Sequence, residues 1–497
     1  MERYHEHKNL TNEVGVVTYA RFPLIVVKGL PGVRVGELVM CESGQIGEVF
    51  LLDHDDVEVL LFDPTPVRVG TEVVRTNTFV TVPVGEALLG RLLDAFGRPL
   101  DKGGELPAHL SRVDLLPREC TPLFARKRIT EQLFTGVSVV DVLLPLAKGQ
   151  RELIVGDRKT GKTSFLQSVV LSQVQKDAVI VYAAIGKKQS EISRLANFFF
   201  AEKERAAKIV CIASHSMESA SLIYMTPYTA MTVAEYFAAG GRDVIVVLDD
   251  LSTHAKFYRE ISLIARRFPG RESYPGDIFY VHSRLLERAG AFASEKSKQG
   301  MVTITCLPVV ETVEGDITGY ISTNLMGMTD GHLYFDLNVF NEGRRPAINI
   351  PLSVTRVGKQ TQSVLLQEIQ RRLTAFLTEH DKISALSHFG AELSQEVRDT
   401  IRKGNQILKL LDQHYTILIP IEVQIVILGL IWQGFMLEYS DEDLLSFRNA
   451  LMSYYNNNDL VHKSFGQIID VGSFDEYILR ITKIKEELLN LWRQSRT

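Results

Sequence analysis

The first of three patterns of hydrophobic and polar positions along the chain is a series of short β-rich runs. Between residue 13 and about residue 77, runs rich in Val, Leu and Ile are separated by turn residues such as Pro31-Gly32 and Ser43-Gly44. Several short strands at close spacing are typical of a small β-barrel. The predicted strands are Val14–Tyr19, Leu24–Val27, Glu37–Cys41, Val49–Leu52, Val57–Phe62 and Glu72–Arg75.

The other two patterns follow in order along the sequence. From residue 78 to about 362, near-continuous Val and Ile runs alternate with helical segments, which indicates a parallel sheet covered by helices. From residue 363, apolar residues recur at three-to-four spacing, which predicts a helical bundle. We therefore predict a multi-domain protein: an N-terminal β-barrel (1–77), a central α/β domain (78–362) and a C-terminal α-helical bundle (363–497). The predicted elements include strands Ala178–Ala183, Lys208–Ile212, Asp243–Leu248 and Val302–Pro308, and helices Gln367–Thr378, Gln395–Asp412 and Glu422–Met436.

Residues 156–163 match the phosphate-binding P-loop, G-x-x-x-x-G-K-[ST], between a predicted buried strand and a predicted helix. The glycines let the backbone wrap a polyphosphate, Lys162 neutralises its charge, and Thr163 offers a hydroxyl to Mg²⁺. The alternative, a plain glycine-rich turn, does not account for the flanking strand and helix. The pattern therefore predicts binding of a nucleoside phosphate. The predicted binding residues are Gly156, Asp157, Arg158, Lys159, Thr160, Gly161, Lys162, Thr163 and Ser164.

A second nucleotide signal is a hydrophobic strand that ends in two acids, Asp249 and Asp250. A carboxylate at such a strand end holds Mg²⁺ through its water shell in P-loop proteins. We predict this role for Asp249, and we predict that Thr163 binds the metal directly. The alternative is that both acids cap the following helix, because Asp is common at helix N-termini.

Composition excludes several classes of protein. The 497 residues carry a net charge of −5, which argues against a dedicated nucleic-acid binder, since such proteins usually contain a basic domain. The four cysteines, Cys41, Cys120, Cys211 and Cys306, form no C-x-x-C pair and predict reduced thiols. No apolar run is long enough to span a bilayer, so we expect contact with a membrane only through partners.

Several segments, in order, resemble the F-type ATP synthase alpha subunit, and the resemblance extends from about residue 13 to the C-terminus. It implies a RecA-like central domain that binds ATP or ADP with Mg²⁺ at a site without turnover. The matching segments are Gly156-Asp157-Arg158, the run from Pro269 to Ala289, Pro346-Ala347-Ile348-Asn349, Ser353-Val354-Thr355-Arg356-Val357-Gly358 and Phe389-Gly390-Ala391-Glu392-Leu393.

The resemblance also implies partners. Three alpha and three beta subunits would alternate in a ring around the gamma central stalk, peripheral to the cytoplasmic face of a bacterial cell membrane and joined to it through the ion-translocating sector. About a dozen residues precede the first predicted strand. The longer N-terminal helix that meets the delta subunit and peripheral stalk is therefore expected to be absent or reduced, which leaves that contact open.

Individual residues carry over from the family. Arg356 matches the arginine that alpha lends in trans to the catalytic beta site, as arginine fingers do; the alternative is an ordinary surface arginine. Lys187 stands where catalytic subunits have a Glu base and alpha subunits usually have Gln. Because an ammonium cannot accept a proton from water, we predict that this chain is not catalytic by itself. Glu191 is the nearest acid along the sequence.

Five positions concern nucleotide affinity. Arg345 and Pro346 match residues that flank the adenine pocket, and Gln413 matches another residue of that pocket. Tyr415 replaces a second Gln and could stack on the base. Lys159 replaces a Gln inside the P-loop and adds a positive charge beside the phosphates.

Two other functions compete with this interpretation. An autonomous homohexameric ATPase for protein export would need its own carboxylate base, and Lys187 at the position of that base argues against this function. A ring-shaped RNA translocase would need basic and aromatic side chains on its barrel. The stretch from Gly15 to Thr76 is instead rich in Val, Leu, Glu and Asp.

Overall fold

The computed structural model describes residues 2–115, 123–387 and 394–494, which belong to two compact units. The barrel unit comprises Met1–Arg128, Val174–Thr312 and Asp316–Thr329. The P-loop unit comprises Ile129–Gln173, Val313–Gly315 and Asp330–Thr497. Cys120 and the segment Phe389-Gly390-Ala391-Glu392-Leu393 lie outside the described residues. The domain boundaries at 77 and 362 stay predictions.

Strands and helices are numbered here in sequence order. The strands are β1 (Val14–Arg21), β2 (Leu24–Lys28), β3 (Glu37–Cys41), β4 (Ile46–Asp53), β5 (Asp56–Leu61), β6 (Glu72–Phe79), β7 (Thr81–Val84), β8 (Leu92–Leu93), β9 (Ser111–Asp114), β10 (Gln132–Leu133), β11 (Leu146–Ala147), β12 (Glu152–Asp157), β13 (Val179–Lys187), β14 (Ile209–His215), β15 (Val244–Asp249), β16 (Gly290–Ala293), β17 (Met301–Thr312), β18 (Gly331–Phe335) and β19 (Val354–Thr355). The helices are α1 (Glu2–Thr11), α2 (Lys162–Gln175), α3 (Gln189–Phe199), α4 (Lys203–Ala206), α5 (Ala220–Ala239), α6 (Leu251–Ile264), α7 (Ile278–Leu286), α8 (Tyr320–Met328), α9 (Leu337–Asn341), α10 (Gly358–Thr361), α11 (Val364–Ser387), α12 (Gln395–Leu411), α13 (Ile421–Trp432), α14 (Asp441–Asn457), α15 (Asp459–Ile469) and α16 (Phe474–Gln494).

A closed barrel of six strands confirms the first predicted architecture. The strands pair in the order β1-β2-β5-β4-β3-β6. Their inward-facing Val, Ile and Leu side chains form the barrel core, as the alternation in the sequence requires. Helix α1, which the sequence pattern did not predict, packs on β6 through Tyr4, whose hydroxyl donates to Glu72 over 2.7 Å.

The rest of the barrel unit contains a predominantly parallel sheet. Strands β17, β15, β13, β14 and β8 pair in parallel in that order, and β16 pairs antiparallel with β17. Every residue of β15 is buried, which explains the unbroken apolar run in the sequence. The carboxyl ends of β13 and β15 lie side by side, with Ala184 in register with Asp249.

In the P-loop unit, β12 pairs in parallel with β18, and β19 pairs antiparallel with β18. The C-terminal bundle consists of α11 to α16, which confirms the predicted helical part. Helix α13 ends at Trp432, before the predicted end at Met436, because Gly434 adopts a positive φ of 81°. The Gly434 N–H donates to Ile431 and the Phe435 N–H donates to Leu430, which is the Schellman pattern of a helix end. Within the described residues, no helix combines the length and apolarity needed to cross a bilayer.

Candidate nucleotide-binding site

The P-loop connects β12 to α2, and its backbone conformation explains its glycines. Gly156 lies so close to β18 that a Cβ atom there would be 2.2 Å from the Phe335 carbonyl oxygen. Gly161 has a φ of 98°, and Lys159 also has a positive φ, of 65°. Such turns direct successive N–H groups into one concavity, and α2 begins directly after it at Lys162. The loop therefore has the form that binds a phosphate group.

Polar side chains hold the loop in this form. The Lys162 ammonium group donates to the Gly156 and Asp157 carbonyl oxygens, at 2.7 Å each. The Thr160 hydroxyl donates to the Asp157 carbonyl over 2.8 Å, and the Asp157 carboxylate accepts the Gly315 N–H at 2.8 Å. Lys162 is buried, whereas Arg158, Lys159 and Thr163 are exposed. The loop is thus pre-shaped, with the Thr163 hydroxyl open to a ligand.

A cavity of about 510 Å³ adjoins the start of α2. It brings together Gly161 and Ser164 of the P-loop with the four positions predicted for the adenine pocket, Arg345, Pro346, Gln413 and Tyr415. Aromatic, aliphatic and proline side chains make up half of its lining residues, which suits a flat ring such as a nucleobase. The lining residues are Val137, Gly161, Ser164, Phe165, Ser168, Phe340, Gly343, Arg345, Pro346, Asp412, Gln413, His414, Tyr415, Ile417, Leu445 and Arg448.

Gln413 is bound to the walls of this cavity and is almost fully buried. Its amide oxygen accepts the Ser138 N–H at 2.8 Å, and its amide nitrogen donates to the carbonyls of Gly136 at 2.9 Å and Ile417 at 2.8 Å. Its backbone N–H donates to the Arg345 carbonyl over 2.7 Å. Because both ends of the amide are engaged, Gln413 shapes the cavity by fixing the loops around it.

Arg345 is similarly fixed. Its guanidinium group lies 3.5 Å from the centre of the Phe340 ring and donates to the Phe340 carbonyl over 2.8 Å. Tyr415, which is half-buried, accepts the Ser168 hydroxyl on its carbonyl oxygen at 2.7 Å. Phe340, Arg345 and Tyr415 therefore offer flat groups at the cavity wall.

Arg448 on α14 is a cavity residue that the sequence reasoning missed. It is 4% exposed, and its hydrogen bonds to the Asp412 carbonyl and the Asn449 side chain are both 3.4 Å long. Burial lowers the pKa of its guanidinium group. A signal was present in the sequence, because Arg448 follows Leu444 by four residues and so occupies the buried face of an amphipathic helix.

Arg356 follows β19 at the edge of its sheet, and its side chain is exposed. Its backbone N–H and its Nε both donate to the Asp330 carbonyl at 3.3 Å. The turn is held tightly: the Thr355 hydroxyl donates to the Pro145 carbonyl over 2.6 Å, and a Cβ atom on Gly358 would lie 1.7 Å from the same oxygen. A turn held by close backbone contacts therefore carries an arginine whose side chain is exposed.

Asp249 ends β15 in the barrel unit, and both of its carboxylate oxygens are engaged. The Tyr182 hydroxyl donates to one at 2.7 Å, and the Lys187 ammonium group lies 2.7 Å from the other. Burial opposes the charged form of Lys187, but the carboxylates of Asp249 and Asp250 outweigh it and raise the pKa of its ammonium group. Asp250 caps α6 by accepting the Thr253 N–H at 2.6 Å. The capping alternative thus applies to Asp250, while Asp249 has other partners.

Comparison with known proteins agrees with this geometry. The model of the nucleotide-binding domain of the ATP synthase alpha/beta family matches residues 136–355, and the model of the family's C-terminal domain matches residues 362–485. The ATP synthase subunit alpha of Aquifex aeolicus is 37% identical over 96% of this chain and 93% of its own length. Those of Clostridium acetobutylicum and Limosilactobacillus fermentum are also 37% identical, over 90% and 93% of this chain and 88% and 90% of their own lengths. The chain therefore belongs to the ATP synthase alpha/beta family, and these relatives are alpha subunits.

Proposed function

We propose that the chain is the non-catalytic, alpha-type subunit of a rotary F-type ATP synthase. The observation that carries the non-catalytic role is the ammonium group of Lys187, 2.7 Å from Asp249. A hydrolytic site needs a carboxylate that accepts a proton from the attacking water. A lysine engaged with a carboxylate cannot do so, and Glu191, the nearest acid along the sequence, lies in the first turn of α3.

The nucleotide would bind in the P-loop unit. Its phosphates would lie against the concavity of residues 156–161 and the N-terminus of α2, where Lys162 neutralises their charge. Its base would occupy the cavity next to Arg345, Pro346 and Tyr415, whose walls support a flat ring. The chemistry supplied by bound Mg²⁺ is neutralisation of phosphate charge, and the exposed Thr163 hydroxyl is suited to holding it. For Asp249 the fit is poor, because both of its oxygens already have partners.

Arg356 would act in trans on the catalytic site of a neighbouring beta subunit. An arginine finger must extend from the surface on a rigid support, so that its guanidinium group meets the charge that develops on the transferred phosphoryl group. The turn at Thr355 and Gly358 provides that support, and the exposed side chain supplies the charge.

The assembly would be the alternating ring of alpha and beta subunits around a gamma stalk, in which ATP synthesis or hydrolysis is coupled to ion transport. The names of the relatives support this part of the proposal. Membrane contact would then be made by the ion-translocating sector, with this chain at the cytoplasmic face of the cell membrane. Contact with the delta subunit and peripheral stalk would use the barrel unit or another surface.

The experiment compares ATP turnover and ATP binding of the purified protein, alone and together with a beta-type subunit from the same source. We expect binding without turnover by the protein alone, and turnover once the beta-type subunit is added. Arg356→Ala should lower that turnover by about a thousandfold or more, as removal of other arginine fingers does. Arg371→Ala is the matched control, because Arg371 is also an exposed arginine of the P-loop unit, 69% exposed and paired with Glu368.

Three results would decide against the proposal. Full turnover by the protein alone would favour the homohexameric ATPase instead. Unchanged turnover of the mixed ring in Arg356→Ala would exclude the arginine finger. An equal loss in Arg356→Ala and Arg371→Ala would mean that surface arginines act through assembly of the ring and not through the phosphoryl group.

A further inference from the structure

Arg448 of α14 is a buried cation whose hydrogen bonds within the protein are weak. It is 4% exposed, and its Nε and Nη1 atoms donate to the Asn449 side chain and to the Asp412 carbonyl, both over 3.4 Å. Good N–H···O hydrogen bonds in proteins are about 2.7–3.2 Å long, and a guanidinium group is a fork of several N–H donors. Because a buried charged donor without good partners is unfavourable, a ligand that offers acceptors to Arg448 gains binding energy there.

Arg448 lines the cavity beside the P-loop, where the other predicted pocket residues are held more firmly. Both ends of the Gln413 amide are bound to the loops around the cavity, at 2.8–2.9 Å. The Arg345 guanidinium group lies 3.5 Å from the centre of the Phe340 ring and donates to the carbonyls of Phe340 and Arg344, at 2.8 and 2.7 Å. Those residues shape the cavity, whereas the weak bonds of Arg448 leave it able to turn towards a ligand. All of them belong to the P-loop unit.

A carboxylate acceptor lies next to Arg448 in the same cavity. Asp412 is a lining residue, and its own carbonyl is the group 3.4 Å from the Arg448 guanidinium. One oxygen of its carboxylate accepts the Arg345 backbone N–H at 2.9 Å, and the other lies 3.7 Å from the Lys409 ammonium group. A carboxylate has about four lone-pair positions, so Asp412 keeps some for an N–H group of a ligand. The cavity thus offers a base both a cationic donor and an acceptor.

The two purine bases differ in what they present to such a donor. Guanine carries two adjacent acceptors, O6 and N7, and a guanidinium fork binds both at once. Adenine carries N7 beside its N6 amino group, which is itself a donor and would face the positively charged N–H groups of Arg448. Asp412 does not discriminate in this way, because either base has an amino group that can donate to it. Discrimination between the bases therefore depends on Arg448.

We propose that Arg448 is the specificity-determining residue of this nucleotide site, and that the site prefers guanine nucleotides to adenine nucleotides. The inference rests on the proposed function in one respect, namely that a nucleotide binds with its phosphates at the P-loop and its base in this cavity. It departs from the adenine nucleotide that the family resemblance implies. ATP still binds through the phosphate contacts of Lys162 and the N-terminus of α2, but more weakly than GTP.

The test is equilibrium binding of fluorescent N-methylanthraniloyl derivatives of GTP, ATP and ITP to the full-length protein. The label is on the ribose, so the base is free to enter the cavity. For the wild type we expect GTP to bind about tenfold or more tightly than ATP, the size of effect that a bidentate arginine contact gives. ITP keeps O6 and N7 but lacks the amino group of guanine, so it should bind within about threefold of GTP.

Arg448→Met removes the donors and keeps a long side chain. The ratio of the ATP and GTP dissociation constants should then fall below about threefold. Because both nucleotides carry the same triphosphate, any effect of the lost charge on the phosphates cancels in this ratio. Arg480→Met is the matched control: Arg480 belongs to the same unit, is 39% exposed, pairs with Glu476 at 2.7 Å and does not line the cavity. It should keep the wild-type ratio.

Four results are decisive. A wild-type ratio below about threefold, or a preference for ATP, would overturn the inference whatever the variants do. An equal fall of the ratio in Arg448→Met and Arg480→Met would also overturn it. Binding of ITP as weak as that of ATP would assign the preference to the amino group of guanine and not to Arg448. Lack of binding of all three nucleotides would overturn the proposed function itself, which distinguishes the two failures.

Discussion

Replacing Gln413 with Leu tests whether one buried amide holds the nucleotide cavity together. Leu has nearly the same volume but cannot form the three side-chain hydrogen bonds, which join Gln413 to Ser138, Gly136 and Ile417 at 2.8–2.9 Å. The variant leaves the Ser138 N–H without this acceptor inside the protein. The Gly136 carbonyl still accepts the Ile419 N–H at 3.0 Å, so losing the hydrogen bond from Gln413 costs less there than at the Ser138 N–H.

The expected magnitude follows from these partners. An orphaned buried donor costs about 1–3 kcal/mol, and two weakened carbonyls add to it, so we expect a loss of about 2–4 kcal/mol in the free energy of unfolding. The protein has two tryptophans, Trp432 in α13 and Trp492 in α16, so intrinsic fluorescence reports unfolding of the P-loop unit. Urea titration followed by fluorescence gives the loss. Nucleotide binding should weaken about tenfold, because the cavity wall loosens.

Gln433→Leu is the control for this experiment. Gln433 lies in the same unit, donates to the Ile478 carbonyl over 2.7 Å and accepts from the Thr482 hydroxyl at 3.1 Å, but it does not line the cavity. The Gln433→Leu variant should lose about 1 kcal/mol of the free energy of unfolding and leave nucleotide binding unchanged. A loss below about 1 kcal/mol in Gln413→Leu, or equal weakening of nucleotide binding in both variants, would refute the reasoning.

Two further predictions concern titration and charge. His254 is fully buried between His282 at 3.2 Å and the Tyr224 carbonyl at 3.1 Å, and burial lowers its pKa from 6.5 to about 4. Because the unfolded state binds the proton more readily, the contribution of neutral His254 to stability is complete above pH 6.5 and is lost as the pH falls towards 4, by at most about 3 kcal/mol. Urea unfolding of the wild type and of His254→Asn at pH 6.5 and at pH 4 measures this loss. An identical pH dependence of the two proteins would contradict the prediction. Lys159→Gln should weaken ATP binding by a few-fold at low salt and less at high salt, because Lys159 is exposed and its charge is screened; an unchanged dissociation constant at low salt would count against a role in binding.

Much of the fold could be predicted because it depends on local patterns. β3 has the predicted bounds, Glu37–Cys41, because its short apolar run lies between turn residues, Gly36 on one side and Ser43-Gly44 on the other. Helix α1 was missed because it has no apolar stripe and is held to the barrel through Tyr4 and Lys8, which both bond to Glu72. The end of α13 was misplaced because a run of apolar residues continues past Gly434, where the backbone turns.

The candidate site also has one part that the local sequence predicts and another part that it does not. The P-loop could be predicted from eight adjacent residues, because its geometry is set by its own glycines. The cavity joins positions such as Arg345 and Gln413, which periodicity does not connect and which came from the family resemblance. The spacing from Leu444 signals that Arg448 is buried, but its place at the cavity and the partners of Asp249 depend on which strands and helices are neighbours. One sequence does not contain that information in a local form.

Lys187 links two departures from what a catalytic site requires. Placing a glutamate at this position would not by itself create a base, because it would put a second carboxylate near Asp249 in place of the ammonium group that now pairs with it. Two carboxylates that share a buried site cannot both stay ionised, so one would take up a proton and lose its ability to accept one from water. The aspartate, the tyrosine hydroxyl and the lysine therefore form a single arrangement. The same lysine that leaves this position without a base also occupies one oxygen of Asp249, and a change towards catalysis would have to alter both.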